Sequence, residues 1–433
     1  MQLQDRILKL FGHLGIERAH FAGGGFAKGL VESCLADSGP VASLTLVCPV
    51  SIPPALISDL ARPLALISGD RGNSAGTIKR ITADAPGVYH LSLKDYEPFL
   101  WSDVAADRTA EVRNGLIDFV GTVEAENPLP SVRHSGNEGN VAGIDYRLEG
   151  EGPPLALFPL GLSAKQWEPL LGVLAEKYCL IQIGGAYVEP ISNLESRAQQ
   201  PGHRGVVGSL LDHLDIRASS PVLEVGCGSG AITRWIAERM DGAGPVTAVD
   251  INRFLLREAG RLAEAAGLSG AITFQEANAE ALPFDNDNFD AVAAVTVLEE
   301  VDAGKAIAEM ARVTRPGGRV GVMLRSIDIT PIVNVDLPDD IMKKVYAGLG
   351  STGAAAKGCA DASIYRRFSG VGLTDLQILP QFSANPDPNA LHAGHAVSRL
   401  DPEERAAWDA AVAEAGANYF IAMPYHVAVG TKS

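Results

Sequence analysis

The most explicit chemistry in this chain lies where an apolar run, VLEV (222–225), ends in Gly226-x-Gly228-x-Gly230 ahead of a helix-compatible segment, AITRWIAERM (231–240). Glycine lets a backbone turn tightly and approach a ligand where any side chain would clash. The spacing alone leaves alternatives open. Gly226-x-Gly228-x-x-Ala231 also fits a nicotinamide-dinucleotide loop, and a strand–helix turn without a ligand fits as well. The next apolar run, PVTAV (245–249), ends in Asp250, where a carboxylate can accept both ribose hydroxyls of an adenosine.

These residues need a scaffold of parallel strands. Runs that read as buried strands are VASLTLVCPV (41–50), PLALIS (63–68), PLALFPL (154–160), PVLEVG (221–226), PVTAVD (245–250) and DAVAAVTVL (290–298). Each precedes a turn cluster and a helix-compatible segment, which predicts an α/β fold with mainly parallel sheets. The chain has 433 residues, enough for two or three domains at about 150 residues each. Soft, polar stretches at 124–143 and 194–204 suggest boundaries, and 348–360 reads as a loop within a domain. Asp401-Pro402-Glu403-Glu404 predicts a capped helix start, with strands at 373–380 and 418–431 on either side.

Composition removes several function classes. Apolar residues are 46% of the chain, too many for disorder. Lys and Arg number 36 against 52 Asp and Glu, a net charge of −16 that disfavours a nucleic-acid partner. The cysteines at 34, 48, 179, 227 and 359 are dispersed, without a C-x-x-C pair, which suits a reducing cytoplasm and offers no zinc site. The first 17 residues read as an amphipathic helix, not a signal peptide. The longest uncharged stretch, between Asp37 and Asp59, holds four prolines and does not suit a membrane helix. The expectation is a soluble cytoplasmic protein.

From Gly205 to Leu324 the chain resembles the class I S-adenosylmethionine-dependent methyltransferases, nearest to the branch acting on quinones, sterols and similar small molecules. The motifs are EVGCGSG (224–230), AVD (248–250), NAEALPF (278–284), NFDAV (288–292), VLEEV (297–301) and RPGGR (315–319). The resemblance implies a Rossmann-like domain over 201–433 with a lid at 326–370. It also implies S-adenosylmethionine as cofactor, a small-molecule acceptor and no metal. Glu224, Gly226, Cys227, Gly228 and Gly230 would line the methionine moiety. Asp250 would take the ribose hydroxyls, and Ile251 would pack on the adenine. Asn278 and Ala279 would meet the adenine edge, with Val295 and Thr296 beneath the sulfonium. The family usually has Asp where Asn278 stands. Methyl transfer to an O, N, S or C nucleophile needs a general base only if the acceptor must lose a proton. The candidates for that base are His203, Glu299, Tyr425 and His426.

The first 200 residues resemble an α/β-hydrolase with its catalytic triad missing. LGIERAHFAGGGFAKGLVE (14–32) looks like the strand, nucleophile elbow and helix, but Gly25 stands at the serine position. Asp70 sits at the acid position, and Glu97 stands where the histidine is expected; Ser33 and His90 are too displaced to substitute. Residues 127–200 resemble the fold's opening strands and 1–126 its later ones, so the domain reads as permuted. Capping the active site, binding acceptor and forming a homodimer interface are the roles open to it, and a remnant that only stabilises the fold is the alternative. Without nucleophile and base, triad hydrolysis has no chemical basis.

Smaller signals carry less. His392-x-x-His395 lacks further ligands at metal spacing and reads as two loop histidines. Gly23-Gly24-Gly25 reads as a tight turn, ASIYRRFSGVG (362–372) as a solvated helix, and Trp101, Trp167 and Trp235 as packing residues. The function expected is cytoplasmic methylation of a small molecule. The alternatives are a non-catalytic regulatory protein that binds the cofactor and a small ligand, and a surviving hydrolase.

Overall fold

The computed structural model describes residues 3–24, 39–49, 57, 60, 62–72, 74–85, 87–98, 102–133, 137–185, 188–242, 244–350, 354–388 and 390–433. The chain divides into two compact units, Met1–Asn193 and Leu194–Ser433.

In the first unit the uninterrupted apolar runs form strands buried on both faces, as parallel sheets require. The strands in chain order are β1 (Ala19–Gly23), β2 (Val41–Val47), β3 (Leu64–Gly69), β4 (Tyr89–Leu93), β5 (Val132–Arg133), β6 (Glu138–Val141), β7 (Ile144–Glu149), β8 (Glu151–Gly152), β9 (Pro154–Leu157) and β10 (Cys179–Gly184). Eight of them make one sheet in the order β4-β3-β2-β1-β9-β10-β7-β6, while β5 and β8 pair separately. Pairing is parallel from β4 through to β10 and antiparallel at β10–β7 and β7–β6. The first strand of the chain is therefore interior, with His20 paired to Ser43 on one side and Leu155 on the other. The two faces carry separate cores, one around Phe21, Leu44 and Ile181, the other around Ile67, Leu116 and Trp167.

The stretch 124–143 departs from the linker its composition suggests. The helix Thr109–Glu126 reaches into it, and β6 pairs with β7 at the sheet edge. Ala142 and Gly143, at φ of 54° and 82°, supply the left-handed pair that a two-residue hairpin turn demands.

The second unit contains β11 (Val222–Val225), β12 (Val246–Asp250), β13 (Ile272–Glu276), β14 (Phe289–Val295), β15 (Thr314–Arg325), β16 (Ile332–Val333), β17 (Leu373–Asn385) and β18 (Ile421–Lys432). The sheet order is β13-β12-β11-β14-β15-β18-β16, with β17 also on β18. The first five strands are parallel, and β18 runs antiparallel to its neighbours. Strand order reverses between β11 and β14, the crevice where open α/β sheets bind ligands. The helix Ala303–Val313 leads into β15, and 315–318 loop out as an irregularity in its pairing with β14.

The helix Asp339–Leu349 and the segment 393–421 share a small core. Ile341, Val345 and Leu349 pack with Ala393, Ala396, Trp408 and Tyr419. At Asp401 the expected cap forms. Its carboxylate accepts from the amides of Glu403 and Glu404, and Glu404 accepts from the Asp401 amide at 3.1 Å.

Candidate functional site

Gly226, Gly228 and Gly230 have φ of 71°, 54° and 74°. Those are left-handed conformations that β-carbons penalise. A β-carbon at Gly226 would stand 2.3 Å from Val297 Cγ2, and one at Gly230 would stand 2.9 Å from Ala259 Cβ. The loop is tied down by the Gly226 and Cys227 amides donating to Val249 O at 2.8 and 3.0 Å. Gly230 then caps the helix Ala231–Arg239.

Asp250 stands at the end of the adjacent strand and braces this loop. One carboxylate oxygen accepts from the Gly228 amide at 2.8 Å and the other from the Asn252 amide at 2.9 Å. Each oxygen keeps a further lone pair for a ligand. Burial pushes the Asp250 pKa up, against the pull of those amides. Glu224, on β11, is 1% exposed and accepts from the Thr233 hydroxyl; burial lifts its pKa to about 8. It is a neutral acid at pH 7. Burial likewise raises the Cys227 thiol, so that sulfur is no thiolate.

Ile251 is 53% exposed beside Asp250, an apolar side chain open to a planar group. Asn278 holds its own turn, its Oδ1 accepting from the Glu280 amide at 2.9 Å. One lone pair of that carbonyl remains. Arg312 fixes the rest of the 278–284 segment by donating to Leu282 O at 3.0 Å and Phe284 O at 2.8 Å.

At the end of β14, Thr296 has φ of 55°. For a β-branched residue that is a strained conformation, of the kind found where a site dictates the backbone and costing about 1–3 kcal/mol. Its amide donates to Met323 O at 2.7 Å, and Arg197 Nη2 donates to its hydroxyl at 3.4 Å. Arg197, on the helix Pro190–Gln199, carried no motif in the sequence and was not singled out there.

The four candidate bases lie in different surroundings. His203 is 2% exposed, its ring edge-on to Tyr425 at 6.1 Å between centroids. Burial, with Arg197 and His392 adding to it, pushes its pKa down to about 3. Glu299 is buried and accepts from the Arg325 amide at 2.8 Å and its guanidinium at 3.4 Å. Tyr425 is buried in the same core cluster as Val427, whereas Ala428 belongs to the cluster on the other face. Alternation along β18 thus turns His426 away from Tyr425. His426 meets Asp328 Oδ1 at 2.7 Å and the Tyr365 hydroxyl at 3.1 Å. The structure therefore gathers His203, Tyr425 and Arg197, and separates His426 from them.

His392 and His395 lie on a helix, Leu391–Ala396, not in a loop, with ring centroids 6.3 Å apart. Among the described residues no group of three His, Cys, Asp or Glu could hold a metal ion.

In the first unit, β1 runs into Gly24, whose amide donates to Pro159 O at 3.2 Å. Gly25, Ser33 and Trp101 lie outside the described residues. Asp70 follows β3 and accepts from the amides of Asp95 and Tyr96 at 3.0 and 3.2 Å, bonds that hold its pKa low. Glu97 lies against Gly72. His90 Nε2 meets Ser68 Oγ at 3.0 Å. A Ser–His–carboxylate relay does occur, with His20 Nδ1 2.7 Å from Ser43 Oγ and Nε2 2.9 Å from Glu124 Oε1. Ser43 and His20 are both fully buried, so this relay braces a core and no substrate can reach it.

Residues 222–318 match a protein-family model described as a methyltransferase domain. The chain is 37% identical over 125 residues to the ubiquinone/menaquinone biosynthesis C-methyltransferase UbiE of Hahella chejuensis, covering 29% of this chain and 50% of that one. Over 114 residues it is 37% identical to the methyltransferase GfsG of Streptomyces halstedii, covering 26% of this chain and 40% of that one. The chain thus spans about half the length of the curated relatives it matches. Among solved structures, geranyl diphosphate C-methyltransferase from Streptomyces coelicolor A3(2) aligns with a TM-score of 0.36 and 16% identity, covering 53% of this chain and 79% of that one. The family match falls on the strands, glycine loop and Asp250 described above, so residues 222–318 of this unit are similar to a methyltransferase domain.

Proposed function

We propose that this protein transfers a methyl group from S-adenosylmethionine to a small-molecule acceptor in the cytoplasm. The observation that carries the reading is the left-handed Gly226–Gly230 loop braced by Asp250 at the strand-order reversal. The residues present suit the cofactor. A cradle closed to β-carbons, a carboxylate with lone pairs to spare and the exposed Ile251 match a methionine end, a ribose and an adenine in turn. Glu224, Cys227, Asn278, Ala279, Val295 and Thr296 complete the proposed lining.

When bound, the cofactor supplies an activated methyl on a good leaving group. What the chain must add is alignment, which can contribute about 7–11 kcal/mol in favourable cases. The candidate bases fit that division of labour. His203, held neutral with a pKa of about 3, is a weak base at pH 7. Glu299 is engaged by Arg325, and His426 by Asp328.

The first unit is proposed as a permuted α/β-hydrolase-like domain without its triad. Counting strands from β6 and continuing through β10 to β1–β4, and leaving out the separate β5–β8 pair, the sheet order supports this. It reads 1-2-4-3-5-6-7-8 with the second strand antiparallel, the order of the hydrolase fold entered at its fifth strand. Asp70 follows the seventh strand so counted. Cofactor binding by a non-catalytic protein remains the alternative.

Calorimetry with S-adenosylmethionine and S-adenosylhomocysteine tests the main reading. Binding of both is expected, and no binding at millimolar ligand would overturn it. Incubating a metabolite extract with methyl-labelled cofactor then separates an enzyme from a regulatory binder. Transfer of label to a small molecule is expected of the enzyme.

A further inference from the structure

The second unit keeps a set of buried, unpartnered polar atoms, one of them on Arg197, whose guanidinium also meets Thr296. Arg197 Nε, His203 Nδ1 and His392 Nδ1 are each closed off from solvent without a hydrogen-bond partner. Leaving such a group unmet costs about 1–3 kcal/mol, more when it is charged. Three together need an explanation.

They come from three separate helices, Pro190–Gln199, Pro201–His213 and Leu391–Ala396. The charge of Arg197 bears on His203, on His392 and on Tyr425, so the groups share one neighbourhood. Among the described residues the Arg197 side chain has no carboxylate partner, and its one hydrogen bond is the 3.4 Å contact with Thr296. Two further carboxylates each keep one oxygen on another arginine, Glu195 Oε2 on Arg234 at 2.6 Å and Glu299 Oε1 on Arg325, while Glu195 Oε1 and Glu299 Oε2 are buried without a partner and neither pairs with Arg197. The histidines are neutral, so neither repels an anion nor competes for one, and each can present an N–H.

The geometry points to a carboxylate receptor: Arg197, assisted by His203 and His392, holds a carboxylate of the methyl acceptor beside Thr296. This rests on the methyltransferase reading. A guanidinium is suited to the task, since its planar donors match a carboxylate. The cofactor carries a carboxylate of its own, and the test must tell the two sources apart.

Wild type, Arg197→Leu and Arg197→Lys are compared by calorimetry, with circular dichroism checking that each is folded. The first arm uses S-adenosylhomocysteine and 5′-methylthioadenosine, which lacks the amino-acid end. The second adds benzoate and phenylacetate, against the corresponding amides, to protein saturated with S-adenosylhomocysteine. The expected result has the carboxylates binding at least tenfold more tightly than the amides. Arg197→Leu should abolish that preference while S-adenosylhomocysteine affinity stays within about twofold, and Arg197→Lys should restore part of it. If Arg197→Leu weakens S-adenosylhomocysteine tenfold and spares methylthioadenosine, the carboxylate is the cofactor's and the acceptor assignment falls. It falls too if wild type does not prefer acids to amides. Failure of wild type to bind S-adenosylhomocysteine or methylthioadenosine would strike the parent reading instead.

Discussion

Strands β1 and β11 both run into glycines and both pair in parallel with the strands on either side, yet the two ends are built differently. After β11, three alternate glycines are left-handed, and their loop is braced by the carboxylate of Asp250 where the strand order reverses. After β1, Gly24 has no such conformation. A β-carbon there would stand 2.3 Å from Leu160 O and 2.4 Å from Val47 O, so the backbone of neighbouring segments already occupies the space. Glycine is required at both ends, by left-handed φ and close side chains at one and by close backbone alone at the other. Glycine spacing alone therefore does not signal a ligand; the φ values and the neighbours decide.

The sharpest way to break the comparison is to add a methyl at each end. Gly226→Ala meets Val297 and a forbidding φ at once, and should reduce S-adenosylhomocysteine affinity by about a hundredfold or more, near 2.7 kcal/mol, by calorimetry. Gly24→Ala should lower the melting temperature and leave that affinity unchanged. A matching loss in both variants would erase the distinction drawn here.

Asp250→Ala comes next. It removes both the proposed ribose partner and the brace on Gly228, and more than a tenfold loss of cofactor affinity is expected, above about 1.4 kcal/mol. Unchanged affinity would move the ribose site elsewhere.

Glu224 sharpens the comparison through pH. Its pKa rises from an ordinary carboxylate value near 4.5 to about 8 on folding, so the folded state holds the proton across that window. Its contribution to stability is full below pH 4.5 and falls as pH rises toward 8, by up to about 1.4 kcal/mol per unit. Glu224→Gln, which stays neutral, should flatten this part of the stability–pH curve in denaturant titrations. A slope identical to wild type would mean that Glu224 is ionised in the fold.

The smallest effect is expected at Asp70. Asp70→Asn should leave ester hydrolysis at background, since the exposed carboxylate does no more than hold the 95–96 turn. Hydrolysis of a nitrophenyl ester by wild type, lost in the variant, would restore the hydrolase reading.

What could be read from sequence followed locality. The parallel strands announce themselves because burial on both faces demands unbroken apolar runs, and the Asp401 cap because its partners lie within three residues. The β6–β7 hairpin was hidden: its Gly- and Asn-rich sequence resembles a linker, and only pairing with a distant sheet makes it a strand. Strain at Thr296 was equally silent, since threonine ordinarily avoids that conformation and the β14–β15 contacts impose it. Arg197 and His392 mean little singly; their significance comes from helices almost 200 residues apart in sequence converging on one place.

The interior position of β1 has a consequence for synthesis. His20 is made before its partner Leu155, which follows 135 residues later (155 − 20). At about 5–20 residues per second the ribosome leaves that strand edge unsatisfied for roughly 7–27 s. Throughout that interval β1 carries an apolar, unpaired edge of the kind that recruits foreign strands. Slow translation between codons 24 and 155 should therefore raise aggregation of the nascent chain more than the same delay placed after codon 184, when the sheet already holds all its strands.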